Sequence, residues 1–92
     1  MIRVLYYAGV RLKTGTSETH VEGFSGTLSG LIKHLEEHHE ISLLDPSEHR
    51  ESDLLSVLII MVNGRHIAHL SGLDTPVSEG DVVTIFPIVG GG

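Results

Sequence analysis

A chain of 92 residues with 12 acidic and 6 basic side chains carries a formal charge of −6, too little basic surface to neutralise a run of phosphates. Nucleic acid is therefore excluded as a partner, and proteins with basic docking surfaces are favoured. Seven histidines but no cysteine rule out disulfides, thiolate-bound zinc, a cysteine nucleophile and carriage of sulfur as a persulfide on this chain, and they fit the reducing cytoplasm.

The length suits one domain spanning residues 1–92, with room for one sheet and one or two helices around a single core. With two Tyr, two Phe and no Trp, that core must be built mostly from Leu, Ile and Val. The longest apolar run, Val57-Leu58-Ile59-Ile60-Met61-Val62, is far short of the ~20 residues that cross a bilayer. The opening Met1–Tyr7 lacks the long apolar core and small-residue cleavage site of a signal peptide, so neither membrane nor secretion is expected.

In chain order, Ile2 to Ala8 reads as a strand with apolar groups on both faces, Ile2, Val4 and Tyr6 against Leu5 and Tyr7. Such double-sided apolarity implies an interior place in the sheet. Gly9 to Gly15, carrying Arg11 and Lys13, reads as an exposed loop with room for one helical turn. Glu18 to Phe24 alternates, with Thr19 and Val21 opposite Glu18, His20 and Glu22. It is a half-buried strand near an edge, expected to pair antiparallel with the first.

Ser25 or Thr27 can cap a helix over Leu28–Glu40, in which Leu28, Leu31, Ile32 and Leu35 form one apolar stripe and Lys33, Glu36, Glu37 and Glu40 face away. Ser42 to Asp53 reads as a polar loop, with Leu43 and Leu44 able to tuck against the core. Val57 to Val62 is a buried strand. Asn63-Gly64 is a strong hairpin signal, because both residues tolerate the positive φ of a type I′ turn. Arg65 to Ala68 is the short return strand, Leu70 to Gly80 an irregular connection, and Val82 to Phe86 the last strand, ended by Pro87. The order β-β-α-β-β-β, with one amphipathic helix for one sheet face, makes an α+β domain.

Candidate chemistry is sparse. His34 and His38 sit four apart and share a helix face, as two metal ligands can. No third ligand is fixed by spacing, although His39 or His49 could fold near, so no metal site is expected. Glu36-Glu37 and the pair Glu51, Asp53 read as solvated carboxylates. Gly26-Thr27-Leu28-Ser29-Gly30 imitates a nucleophile elbow but opens a helix without the strand that should precede it.

What remains is the tail Phe86-Pro87-Ile88-Val89-Gly90-Gly91-Gly92. Glycines gain no packing and keep full backbone freedom, so the bland reading is a frayed end. The functional reading is a side-chain-free peptide that enters a narrow slot. From Ile88 to Gly92 it reaches about 17 Å when extended. It would deliver the Gly92 carboxylate, which with a pKa of about 3.5 is an anion at neutral pH and resists nucleophilic attack. A transfer through it needs activation, for example as an acyl-adenylate made with ATP on a partner enzyme.

The segments Met61-Val62-Asn63-Gly64-Arg65, Gly72-Leu73-Asp74-Thr75-Pro76-Val77 and Gly80-Asp81-Val82-Val83-Thr84-Ile85-Phe86-Pro87, with the opening Val4–Ala8, the single helix and the final Gly-Gly, resemble the ubiquitin-like sulfur carriers of the MoaD/ThiS type. Within that type, the chain is most similar to small subunits of molybdopterin synthase. The resemblance implies a β-grasp fold, a mixed sheet around one helix with its first and last strands parallel and central. It implies that Gly92 is adenylated by an E1-like enzyme with ATP and becomes a thiocarboxylate, with Gly91 completing the diglycine. Phe86, Pro87, Ile88, Val89 and Gly90 would be partner contacts. The tail, mobile from about residue 88, would enter the large subunit of molybdopterin synthase and donate sulfur to a pterin precursor. No permanently bound cofactor and no activity of the chain alone are implied. Family tails commonly read Phe-Pro-Pro-Val-Ala-Gly-Gly; here Ile88 replaces a proline and Gly90 an alanine, with the register to the end preserved. Some archaeal members instead modify lysines of other proteins through the same diglycine, and that reading stays open beside the carrier, as does an inert tail on an interaction module.

Overall fold

The computed structural model describes residues 1–40 and 58–87. Within them the chain runs β1 (Ile2–Tyr6), α1 (Ala8–Thr14), β2 (Glu18–Val21), β3 (Gly26–Thr27), α2 (Leu28–His39), β4 (Leu58–Val62), β5 (Arg65–His66), β6 (Pro76–Val77) and β7 (Val82–Pro87). Five strands form one mixed sheet in the order β2-β1-β7-β4-β5, and β3 and β6 form a separate ladder. β1 and β7 are parallel, with Tyr6 beside Ile85; β2, β4 and β5 join antiparallel to their neighbours. This is the expected β-grasp, with the first and last strands adjacent and interior.

The pleat explains which side chains enter the core. Residues two apart share a face, and the face turned to α2 collects Ile2, Val4 and Tyr6 from β1, Val83 and Ile85 from β7, and Ile60 and Val62 from β4, all buried. Leu28, Leu31, Ile32 and Leu35 of α2 close that core from the other side, as their spacing predicts. Of the two candidate caps, Thr27 is the one in place: its Oγ1 accepts from the Gly30 N–H at 3.2 Å. The helix ends one residue before Glu40, which adopts left-handed geometry (φ 54, ψ 44) and donates its N–H to the Glu36 carbonyl.

Asn63 and Gly64 both have positive φ (53 and 84), as the hairpin signal requires. The Asn63 side chain also ties the turn to the start of β7. Its Oδ1 accepts from the Val82 N–H at 2.9 Å and its Nδ2 donates to Asp81 Oδ1 at 3.0 Å.

Four expectations need correction. The segment read as an exposed loop from Gly9 is the helix α1, because Val10 is buried and anchors it against the core; Ala8 reverses the chain at φ 51 and Gly15 caps the end at φ 77. The first two strands still pair antiparallel, around that helix rather than a tight turn. The return strand stops at His66, whose Nδ1 accepts from the Ala68 N–H and starts a 3-10 turn that sends Ile67 into the core. The irregular connection holds a second 3-10 turn, Gly72–Asp74, and β6, which pairs with β3. β2 ends at Val21, short of Phe24. The polar loop Ser42–Asp53 and residue Val57 lie outside the described residues.

Candidate functional site

β7 carries the predicted site. It runs between β1 and β4 from Val82 to Pro87 and so brings Phe86 and Pro87 to one end of the sheet. Ile88, Val89, Gly90, Gly91 and Gly92 lie outside the described residues. Phe86 is half-buried on the sheet face that α2 does not cover. The parallel register sets Tyr7 next to it: Tyr6 is level with Ile85, and the Tyr7 N–H donates to the Ile85 carbonyl at 3.1 Å. The two rings meet edge-to-face, with centroids 6.2 Å apart at 89°.

Tyr7, Ala8, Thr84 and Phe86 line an open groove of about 400 Å³. No lining residue carries a formal charge. Tyr7 is 48% exposed, and Leu12 in α1 is 85% exposed. An aromatic floor left open to water suits contact with another protein. Tyr7, Ala8 and Thr84 escape the sequence reading, because their meeting depends on the β1–β7 register and on the reversal at Ala8. The alternation of β1, which places Tyr7 and Leu5 on the face away from α2, was the available signal for Tyr7.

A larger depression of about 570 Å³ sits at the other end of β7, lined in part by Asn63, Arg65, Ser71, Thr75 and Asp81. Size does not make it the better candidate, since Asn63, Ser71, Thr75 and Asp81 are engaged in holding loops. Asp81 accepts from Asn63 Nδ2 and the Ser78 N–H, and Thr75 Oγ1 accepts from the Ser71 N–H and donates to the Gly72 carbonyl.

The histidine pair on α2 is not brought together on a ligand. The His34 ring lies against Phe24, with centroids 6.3 Å apart, and the His38 ring against His39, at 4.8 Å. Among the described residues no group of three His, Cys, Asp or Glu side chains is placed to hold a metal ion, and no helix is long and apolar enough to cross a membrane. On the outer sheet face Glu18 accepts from Arg3 Nε at 3.1 Å and contacts His20 Nε2. Arg3 first and His20 second hold its carboxyl below the ordinary range.

The sequence profile described as the ThiS family matches residues 4–92. A curated protein of Archaeoglobus fulgidus, described as a sulfur carrier protein, is 44% identical over 43 residues, which take in 47% of this chain and 49% of that one. The chain thus spans about half the length of that curated relative. Among solved structures, the small archaeal modifier protein 1 of Methanosarcina acetivorans superposes with a TM-score of 0.76 at 26% identity, over 99% of this chain and 95% of that one. A Pyrococcus furiosus protein described as molybdopterin converting factor subunit 1 gives 0.68 at 27% identity, over 96% and 97%.

Proposed function

Because the chain belongs to the ThiS family, we propose that it is a sulfur carrier whose working group is the C-terminal carboxylate of Gly92. An E1-like enzyme binds the folded domain and threads the Gly90-Gly91-Gly92 tail to ATP. A carboxylate oxygen attacks the α-phosphate, pyrophosphate leaves, and the acyl-adenylate forms. A sulfide-level nucleophile then displaces AMP and leaves a thiocarboxylate. In the second half the tail enters an acceptor enzyme, gives up its sulfur, and regains oxygen from water. The acceptor we favour is the large subunit of a molybdopterin synthase, with a pterin precursor taking the sulfur. The chain is then the donor subunit and no catalyst by itself, ATP is the partner's substrate, and the setting is the cytoplasm.

The observation that carries this reading is that the family match runs through to Gly92. The geometry supports it. β7 is an interior strand held on both edges, so the residue from which the tail continues, Pro87, is fixed, and the apolar Tyr7–Phe86 groove lies at that end of the strand. Activating enzyme and acceptor must grip the same end, so both would use this groove, with Phe86, Pro87, Ile88, Val89 and Gly90 in contact. Val89→Asp should therefore weaken both complexes; unchanged binding to either would remove the shared surface.

The decisive test is ATP–pyrophosphate exchange by the cognate adenylating enzyme, paired with a thermal melt of each variant. One residue added after Gly92 moves the carboxylate about 3.5 Å, and a misplacement of about 1 Å can cost roughly a hundredfold in rate. Extension, deletion of Gly92, and Gly91→Val should each abolish activation and leave the melt unchanged. An extended protein activated at the wild-type rate would overturn the proposal. The likeness to a small archaeal modifier protein favours a second reading, conjugation of Gly92 to lysines of other proteins. Intact mass of the chain from native cells separates the two: an oxygen-for-sulfur exchange marks the carrier, a ladder of larger conjugates the modifier.

A further inference from the structure

We propose that Tyr6, Thr19 and His39 form a proton-operated latch that fastens the last turn of α2 to the tail-bearing end of the sheet when His39 is neutral and releases it when the imidazole takes a proton. The three groups come from three elements. His39 Nε2 lies 3.1 Å from the Tyr6 hydroxyl of β1 and 3.0 Å from Thr19 Oγ1 of β2. Tyr6 is 1% exposed, and Thr19 and His39 are half-buried. The Tyr6 and His39 rings meet edge-on, with centroids 5.6 Å apart.

Neutral His39 with its proton on Nδ1 offers the Nε2 lone pair to the Tyr6 O–H or the Thr19 O–H. A proton on Nε2 turns that acceptor into a donor. Each hydroxyl that pointed its hydrogen at the ring must then rotate away; one of the two oxygens can accept from the new N–H while the other loses its partner, and a cation has to sit beside a buried phenol. Among the described residues no acidic group faces the ring to compensate. From β1 it meets Tyr6 and from β2 Thr19, while on its own helix the neighbour is His38, at 4.8 Å. Glu36 and Glu40 share the last turn, and neither is among the causes of the shift in the His39 pKa. Burial first and the charge of His38 second lower the His39 pKa from the ordinary 6.5, which agrees with a latch closed at neutral pH.

The chain just beyond the latch is under tension. Glu40 holds φ 54 with a Cβ in place, where helix ends usually set glycine. The backbone bond to Glu36 and the side-chain bonds of the preceding residue hold that conformation in being. Losing the latter loosens the last turn. The closed latch also bears on the tail end, because Tyr6 is level with Ile85, the residue before Phe86. The latch stands on its own geometry, whatever the tail carries.

The test is an NMR titration of the intact chain from pH 8 to pH 5, following the His39 ring nitrogens and the exchange protection of amides along α2. His39 is expected to titrate below 6.5. As it does so, protection of Glu37 to Glu40 should fall about tenfold for each unit of its pKa shift, while Leu31 and Ile32 keep theirs. His39→Gln, which keeps a donor and an acceptor without titrating, should abolish the pH dependence of last-turn protection. Tyr6→Phe, which keeps the ring in the core, should lower that protection already at pH 8. His39 titrating at or above 6.5, last-turn protection unchanged through its titration, or Tyr6→Phe matching wild type at every pH would each overturn the latch.

Discussion

The two faces of the five-stranded sheet are made by the same strands and have different fates. On the face toward α2, Ile2, Val4, Tyr6, Ile60, Val62, Val83 and Ile85 are covered by the helix stripe. On the other, Leu5, Ile59, Met61, Val82, Thr84 and Phe86 are half-buried and Tyr7 is open to water. A free-standing domain usually alternates apolar with polar along such strands. Here the outer face keeps Arg3, Glu18 and His20 at the β1–β2 edge but also carries half-buried apolar groups on β1, β7 and β4. Folding accounts for the first set; the second includes Tyr7 and Phe86 at the Pro87 end of the sheet, an exposed apolar surface suited to contact with another protein.

If that division is right, substitutions should sort by face. The largest loss of stability belongs to the covered side. Leu35→Ala or Leu31→Ala should cost about 2–5 kcal/mol in denaturant unfolding, because a fully buried leucine leaves a cavity. Next comes the far end of β7, where Asn63→Ala removes two side-chain bonds and places a worse residue at φ 53. About 1–2 kcal/mol is expected from the same measurement. Phe86→Ala, on the uncovered face, should cost about 1 kcal/mol in folding yet weaken the adenylating enzyme's binding at least tenfold, read by calorimetry. A reversed ratio, with folding hit harder than binding, would erase the distinction between faces.

Acid probes the covered side more gently. The folded pKa of His39 lies below its unfolded value, so the unfolded chain binds the proton more readily. The associated stability is whole above pH 6.5 and is lost as pH falls through the lower folded value. Melting temperature should thus drop below pH 6.5 in wild type, and by less in His39→Gln. Least of all, Leu12→Ser, at a side chain already 85% exposed, should change stability by no more than about 0.5 kcal/mol.

What could be read from the chain followed the physics of local pattern. The α2 stripe, the Asn63-Gly64 turn and the strands of the central sheet rest on periodicity and on backbone preference, both of which act over a few residues. What escaped depended on distant partners. α1 has one buried apolar residue, Val10, too few for a periodic signal in seven residues, and Ala8 at φ 51 has no local cause. β3 and β6, two residues each, exist because Gly26 and Thr27 meet Val77 and Pro76 across the fold. At the candidate site Phe86 and Pro87 were singled out from sequence because only Ile88 and Val89 separate them from the glycines. Tyr7 reaches Phe86 only through a strand register. His39 looked like one more surface histidine until the helix end was laid on Tyr6 and Thr19.

The position of β7 has a mechanical consequence. Its hydrogen bonds run crosswise to β1 on one edge and β4 on the other, up to Pro87. A pull applied at Pro87 along the strand is therefore a shear that loads both ladders together. On an outer strand with one free edge, the same pull would work against a single ladder. An enzyme that draws the glycines into a slot can haul on them and meet the resistance of the whole sheet. The chain end is a tether with a firm anchor, able to carry load without unravelling the domain behind it.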